Sequence, residues 1–310
     1  MGRKNKGRPV HGWIAFDKPA DMTSTQALNR VRHLFNAAKA GHGGTLDPIA
    51  TGMLPIAFGE ATKTMTYTVD QTKVYRITVA WGSETDTDDR EGAVTARSDR
   101  RPAREEVKAV LPRFVGTITQ IPPVYSALKI DGQRSYDLAR EGKTVEPKPR
   151  QVTIHSIELD DADTRSAILT VKCGKGTYMR ALARDIAREL GACAHIQEIR
   201  RLAVGAFTLD VAVTLDQLEA SAERGTLDDH LLPVQTPLDD IPAVAVTEQE
   251  AQRLRNGQPV PLLKRSDLQR LRTLETSDDG IVLALLGQTP VALATYGAAQ
   301  IQPVRLLNLL

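Results

Sequence analysis

SAILTVKCGKGTYMRALARDIARELG, residues 166–191, decides the fold class. Its first eight residues are rich in β-branched and aliphatic side chains and read as a strand. Gly174-Lys175-Gly176 interrupts that run, and Thr177 has N-cap chemistry. Met179, Leu182, Ala183, Ile186 and Leu190 then line one face of a helix over 177–190, with Arg180, Arg184, Arg188 and Glu189 on the other and Gly191 at its end. Working outward, VYRITVAW (74–81), 152–159 and 206–213 predict further strands. Helices are predicted over 23–39, where Thr23-x-x-Gln26 has capping-box spacing and Gly41 can close the end, and over 103–114. Hairpin-like strands interspersed with helices make an α+β fold.

The chain has 310 residues, enough for about two domains. With 41% hydrophobic and 25% charged residues it has the composition of a soluble globular protein, not of a disordered or fibrous one. No run approaches the roughly 18 apolar residues of a membrane-spanning helix, and MGRKNKGRPVHG lacks the apolar core of a secretory signal. Cytoplasm is the expected compartment. Cys173 and Cys193 are too few for a disulfide framework or a thiolate zinc site.

Net charge is only +2, but it is segregated: +6 over residues 1–40, +4 over 171–205 and −9 over 205–250. Such segregation can present one face to a polyanion, although charge runs are as often spread over solvated surfaces. Aromatic residues, at 4%, are too scarce for base stacking along an extended strand to be the obvious binding mode.

Residues 1–9 form a basic arm expected to be flexible. Residues 41–59 have the glycine and proline content of a loop, yet Leu46, Ile49, Met53, Leu54, Ile56 and Phe58 predict that it is packed. SETDTDDREG (83–92) is an acidic, turn-rich loop, and 135–141 a short helix. Leu232-Pro233 to Pro242 marks a boundary, after which 243–310 is long enough for a small domain of short strands following a helix near 247–256.

Gly41-His42-Gly43-Gly44-Thr45-Leu46-Asp47-Pro48 lacks both the Gly-Lys-Ser/Thr ending of a P-loop and the spacing of a dinucleotide site. What remains is a single carboxylate, Asp47, which from local pattern alone is more often an Asp opening a turn before proline. Arg180, on the polar face of its helix, is either solvated or aimed at a carboxylate through its planar fork. Tyr75 is either a cross-strand aromatic or a site residue, and His42 a polar loop residue, an RNA contact or a base. No second His, Cys or carboxylate nearby has metal-ligand spacing, so no metal site is expected.

HGGTLDPIATGMLPIAFGEATK (42–63), TDTDDREG (85–92), PPVYSALKIDGQRSY (122–136), CGKGTYMRALARDIARELG (173–191) and RRLAVG (200–205) together resemble, in order, the bacterial TruB family of tRNA pseudouridine-55 synthases. The resemblance runs from about residue 11 to about residue 210. It implies a pseudouridine-synthase fold, a mixed and largely antiparallel sheet flanked by helices, as a catalytic domain over 10–240 with an RNA-binding insert at 124–150. Residues 243–310 are, more weakly, similar to the small β-rich PUA-like RNA-binding module. By the same resemblance Asp47 is the catalytic aspartate, His42 helps hold a flipped-out uridine, and Tyr75 stacks on the target base, with a further part in proton transfer. Arg180 pairs with the catalytic carboxylate and Leu202 supplies an apolar wall of the pocket. The implied partner is the T-arm and T-loop of tRNA, bound by a monomer without an obligatory protein partner, membrane, metal or cofactor.

Isomerising uridine breaks the C1′–N1 bond, turns the base, joins C1′ to C5 and removes the C5 proton. Nothing is oxidised or reduced, so one carboxylate suffices, at C1′, at C6 or by steering glycal formation; a glycosidase's stabilised sugar cation is the analogy. Burial beside an apolar base opposes ionisation of a carboxylate and an adjacent Arg favours it. An Asp47–Arg180 pair enclosed by Tyr75 and Leu202 is therefore expected. Three rivals remain: an RNA-binding protein without chemistry, a subunit of a guide-RNA particle, and a glycosidase, which would need a second carboxylate.

Overall fold

The computed structural model describes residues 7–125, 147–262 and 280–309, with the backbone of 129–130 and 133–134. Most of the basic arm, the helix expected at 135–141, most of the insert and part of the C-terminal segment lie outside the described residues. In chain order the first strands are β1 (Gly12–Lys18), β2 (Ala40–His42), β3 (Thr51–Phe58), β4 (Lys73–Trp81), β5 (Ser83–Thr85), β6 (Val94–Arg97), β7 (Gly116–Gln120), β8 (Lys129–Ile130) and β9 (Gln133–Arg134). They are followed by β10 (Arg150–Ala162), β11 (Ser166–Cys173), β12 (Ala194–Val204), β13 (Phe207–Thr208), β14 (Ala243–Ala245), β15 (Val260–Pro261), β16 (Ile281–Leu286), β17 (Thr289–Gly297) and β18 (Gln300–Leu306).

Among the described residues one sheet runs β1-β3-β12-β4-β11-β10-β7, with β2 beside β3 and β13 beside β12. Its pairings are antiparallel except β12 with β3, where Arg200 lies opposite Thr51 and Arg201 opposite Gly52. The expected α+β, largely antiparallel architecture is what forms. One face of this sheet, through Phe16, Ile56, Ile77, Val79, Leu169 and Val171, packs on Val31 and Phe35 of one helical segment and Leu182 and Ile186 of another. Behind β1 and β3, a second cluster joins Trp13, Ala15, Met53 and Ala57 to Leu283, Leu293 and Leu307. The C-terminal sheet, ordered β14-β16-β17-β18-β15, is thereby docked on the back of the large one.

Several predicted boundaries move, each for a local reason. GWIAFDK and TGMLPIAF are strands: β1 and β3 are buried on both faces, so they show an apolar run and not alternation, and the glycines and proline of β3 gave it loop composition. The helix expected to reach 39 ends at Leu34, because Asn36 turns to positive φ (46°) and Gly41 enters β2. The second helix is α-helical over Arg104–Val110 and tightens to a 3₁₀ turn at Leu111–Phe114, where Pro112 cannot donate. The helix after the Gly174 turn is Met179–Glu189; its N-cap is Tyr178, while the Thr177 hydroxyl donates to the Gly174 carbonyl at 3.2 Å. Residues 206–213 form a strand only at Phe207–Thr208, before a 3₁₀ turn, and Val213 then bridges Phe16 of β1. Met65–Asp70 is a short helix with no sequence signal strong enough to predict it. Among the described residues no helix is long and apolar enough to cross a membrane.

Candidate active site

The loop that carries Asp47 is held from beneath by backbone-directed bonds. Lys18, fully buried at the end of β1, donates to the carbonyls of Pro19 (2.7 Å), Met22 (2.7 Å) and Pro48 (3.2 Å). Ser24 donates to the Leu46 carbonyl at 3.0 Å and accepts from the Leu46 amide at 2.8 Å. Arg201, 2% exposed on β12, donates to Met53 O (2.7 Å), Gly44 O (3.0 Å) and Thr45 O (3.5 Å). Gly52 permits that approach: its φ is +98°, and a Cβ there would sit 2.2 Å from the Arg201 carbonyl oxygen. The parallel contact between β3 and β12 thus fastens the Asp47 loop to the middle of the sheet.

Above this loop lies a cleft of about 270 Å³, lined by Asp47, Tyr75, Arg180, Ile199 and Arg201 and by the Gly174–Met179 turn. Arg180 enters from the first turn of its helix with its side chain 4% exposed. One guanidinium nitrogen lies 2.9 Å from Asp47 Oδ2, and the other 3.3 Å from Asp89 Oδ2, whose side chain is 6% exposed. Arg180 also donates to the carbonyls of Thr87 (2.8 Å) and Tyr125 (2.9 Å). Asp89 is held in turn by the Thr87 hydroxyl (2.7 Å) and the Glu91 amide (3.0 Å). Asp47 differs from Asp89 in keeping 37% of its side chain exposed. A buried cation thus clamps one carboxylate that reaches the cleft and a second that does not, in the charge-assisted geometry that restricts both.

The neighbouring titrations follow burial. Lys18 is pushed down to about 8, with Asp21 and Asp47 opposing the shift and Arg201 adding to it. Lys73, which donates to Val69 O and Gln71 O, is likewise lowered to about 8 by burial. Burial raises the Tyr75 phenol, which Arg201 partly offsets, so the hydroxyl is protonated at neutral pH. His42 is lowered by burial and by Arg201, and its Nδ1 has no hydrogen-bond partner.

Asp47, Tyr75 and Arg180 are brought together as expected. His42 pairs with Ile56 in β2 and is not among the cleft-lining residues. Leu202 is not among them either. A bulge between Arg201 and Ala203 interrupts the ladder of β12 on β4, and the apolar wall is Ile199, three residues earlier. Lys18, Lys73, Asp89, Ile199 and Arg201 were not singled out from sequence. For Asp89 a signal existed, since TDTDDREG concentrates carboxylates that a buried arginine needs; for Lys18 none did.

Residues 32–179 match the TruB family pseudouridylate synthase N-terminal domain, and 180–239 the tRNA pseudouridylate synthase B C-terminal domain. A tRNA pseudouridine synthase B of Caulobacter sp. (strain K31) is 51% identical over 310 residues, covering 100% of both chains. The chain belongs to the TruB family. Another member, the tRNA pseudouridine synthase B of Rhodospirillum rubrum, is 48% identical, again over 100% of both chains. At the level of fold, a chain of a crystallised Cbf5-Nop10-Gar1 complex superposes with a TM-score of 0.71 at 22% identity, covering 96% of this chain and 85% of that one. A chain of an H/ACA RNP bound to a substrate RNA containing 2′-deoxyuridine gives the same TM-score at 20% identity, covering 99% and 92%. The TruB fold therefore accounts for both the large sheet and the cleft across it.

Proposed function

We propose that this chain isomerises uridine-55 in the T-loop of tRNA to pseudouridine. The observation that carries the proposal is the Asp47 carboxylate, partly exposed in a cleft and fixed at 2.9 Å by Arg180 beside Tyr75. A paired or stacked uridine must leave its stack to reach such a group, at a cost of a few kcal/mol. Tyr75 offers an aromatic face for the extruded base and Ile199 an apolar wall. The Asp47 carboxylate then acts at C1′ or C6, or steers glycal formation. In each route C1′–N1 breaks, C1′–C5 forms, the C5 proton is lost and N1 gains one. His42, within the glycine loop, helps hold the extruded uridine.

The partner in this reading is the T-arm of tRNA, bound by a cytoplasmic monomer without an obligatory protein partner. The catalytic domain is 10–240 with its insert at 124–150, and 243–310 is a PUA-like RNA-binding module. The experiment is to incubate unmodified tRNA with wild-type and Asp47→Asn protein and map pseudouridine. Product in the T-loop from wild type alone is expected; equal product from Asp47→Asn, or product elsewhere, overturns the proposal.

A further inference from the structure

Among the described residues five cationic side chains line the cleft: Lys73, Arg150, Lys175, Arg180 and Arg201. Three are committed to internal acceptors. Lys73 binds two carbonyls, Arg201 three, and Arg180 two carboxylates and two carbonyls. The other two have donors to spare, and they flank the same turn, Gly174–Thr177.

Among the described residues Lys175 meets only Asp70, at 2.9 Å, with the two side chains 65% and 50% exposed. Arg150 has no carboxylate partner among the described residues. Its guanidinium lies 4.6 Å over the Tyr178 ring, one terminal nitrogen donates to the Gly176 carbonyl, and its buried Nε has no acceptor. Gly176 takes φ +81°, and a Cβ there would meet the guanidinium only in ordinary contact, 3.7 Å from its Cζ. Gln120 fixes the platform by bonding both the amide (2.8 Å) and the carbonyl (3.1 Å) of Tyr178.

We propose that Arg150 and Lys175 bind one backbone phosphate of the RNA strand that carries the target base, and that Asp70 holds Lys175 in reserve until the phosphate displaces it. The inference rests on RNA being the substrate, as proposed above. A stacked guanidinium is oriented before binding, and its planar fork suits a phosphate. An exposed carboxylate–ammonium pair is weak and easily exchanged. Phosphate contacts set the register of a bound strand, so this one decides which nucleotide reaches Asp47.

The test measures binding of a T-arm stem-loop RNA by the full-length Asp47→Asn protein from low to moderate salt. Adding Lys175→Gln and Arg150→Gln together is expected to weaken binding and to reduce the slope of log K against log salt by about 0.7–0.9, one phosphate's worth, and each alone to weaken binding with a smaller change of slope. Arg150→Lys is expected to keep the slope but not the full affinity. Asp70→Asn is expected to tighten binding, and that gain must vanish when Lys175→Gln is added. Unchanged or weaker binding by Asp70→Asn with Lys175 present, or an unaltered slope in the Lys175→Gln/Arg150→Gln pair, overturns the phosphate site. Product formation by the wild-type enzyme is scored separately, so a failure of the isomerase reading is not mistaken for a failure of this one.

Discussion

Replacing Arg180 with methionine separates what the buried cation does for the fold from what it does for the cleft. The arginine side chain is 4% exposed and its partner Asp89 6%, so methionine leaves a buried carboxylate without a countercharge. Removing one member of such a pair costs about 3–5 kcal/mol. Asp47, 37% exposed, can rehydrate, so its share of that loss is small. What Asp47 loses is its orientation, and a displacement of about 1 Å in a reacting group can cost about 10²-fold in rate. The second substitution, Asp89→Asn, removes the stranded charge but keeps the Oδ1 acceptor for Thr87 and Glu91. Arg180→Met is expected to lower stability by about 3–5 kcal/mol in urea unfolding and single-turnover pseudouridine formation by about 10²-fold. The double variant is expected to regain most of the stability and none of the rate. Restored turnover in the double variant would mean that Arg180 serves only the fold, and the assigned role in aiming Asp47 would be wrong.

The pH dependence of stability is set by buried lysines. Lys18 and Lys73 drop from 10.5 to about 8 on folding, so above about pH 8 the unfolded chain holds protons that the native one has released, and stability rises with pH. Cys173, raised from 9.0 to about 11, works the other way above pH 9, because there the native chain holds the proton. Urea midpoints are therefore expected to climb between about pH 8 and 9 and more slowly above that; a midpoint falling through the pH 8–9 window contradicts the burial of both amines. Gly52→Ala combines φ +98° with a Cβ 2.2 Å from a carbonyl oxygen, and should cost more than about 1 kcal/mol and loosen the Asp47 loop, read as a lower unfolding midpoint together with slower turnover. Ile199→Ala, in the cleft wall, should cost about 2–5 kcal/mol and lower kcat/KM. Leu202→Ala in the bulge should leave kcat/KM within about twofold; if Leu202→Ala lowers it more than Ile199→Ala does, the wall is misassigned.

Much of the site was legible. Asp47, Tyr75 and Arg180 lie in motifs that resemble the TruB family's, where each local pattern alone left a plain structural reading open, and the structure gathers all three around one cleft. Leu202, implied by the family resemblance, is not among the residues that line the cleft and Ile199 is; a bulge between Arg201 and Ala203 shifts the register there. Lys18 was invisible because a lysine next to a proline looks solvated until the chain returns over it. β1 and β3 were overlooked because strands buried on both faces carry no period-two signature.

From the order of residues alone follow the α+β class and the amphipathic helix behind Arg180, which depend on local periodicity carried by neighbours in the chain; Asp47 stands out through the motif that resembles the TruB family's. Folding alone decided that Arg180 is shared between Asp47 and Asp89, that Arg201 pins the Asp47 loop, and that Arg150 and Lys175 keep donors free. Each of those facts joins segments far apart in the chain, and which buried charge meets which partner is settled only when the sheet brings them within a few ångströms.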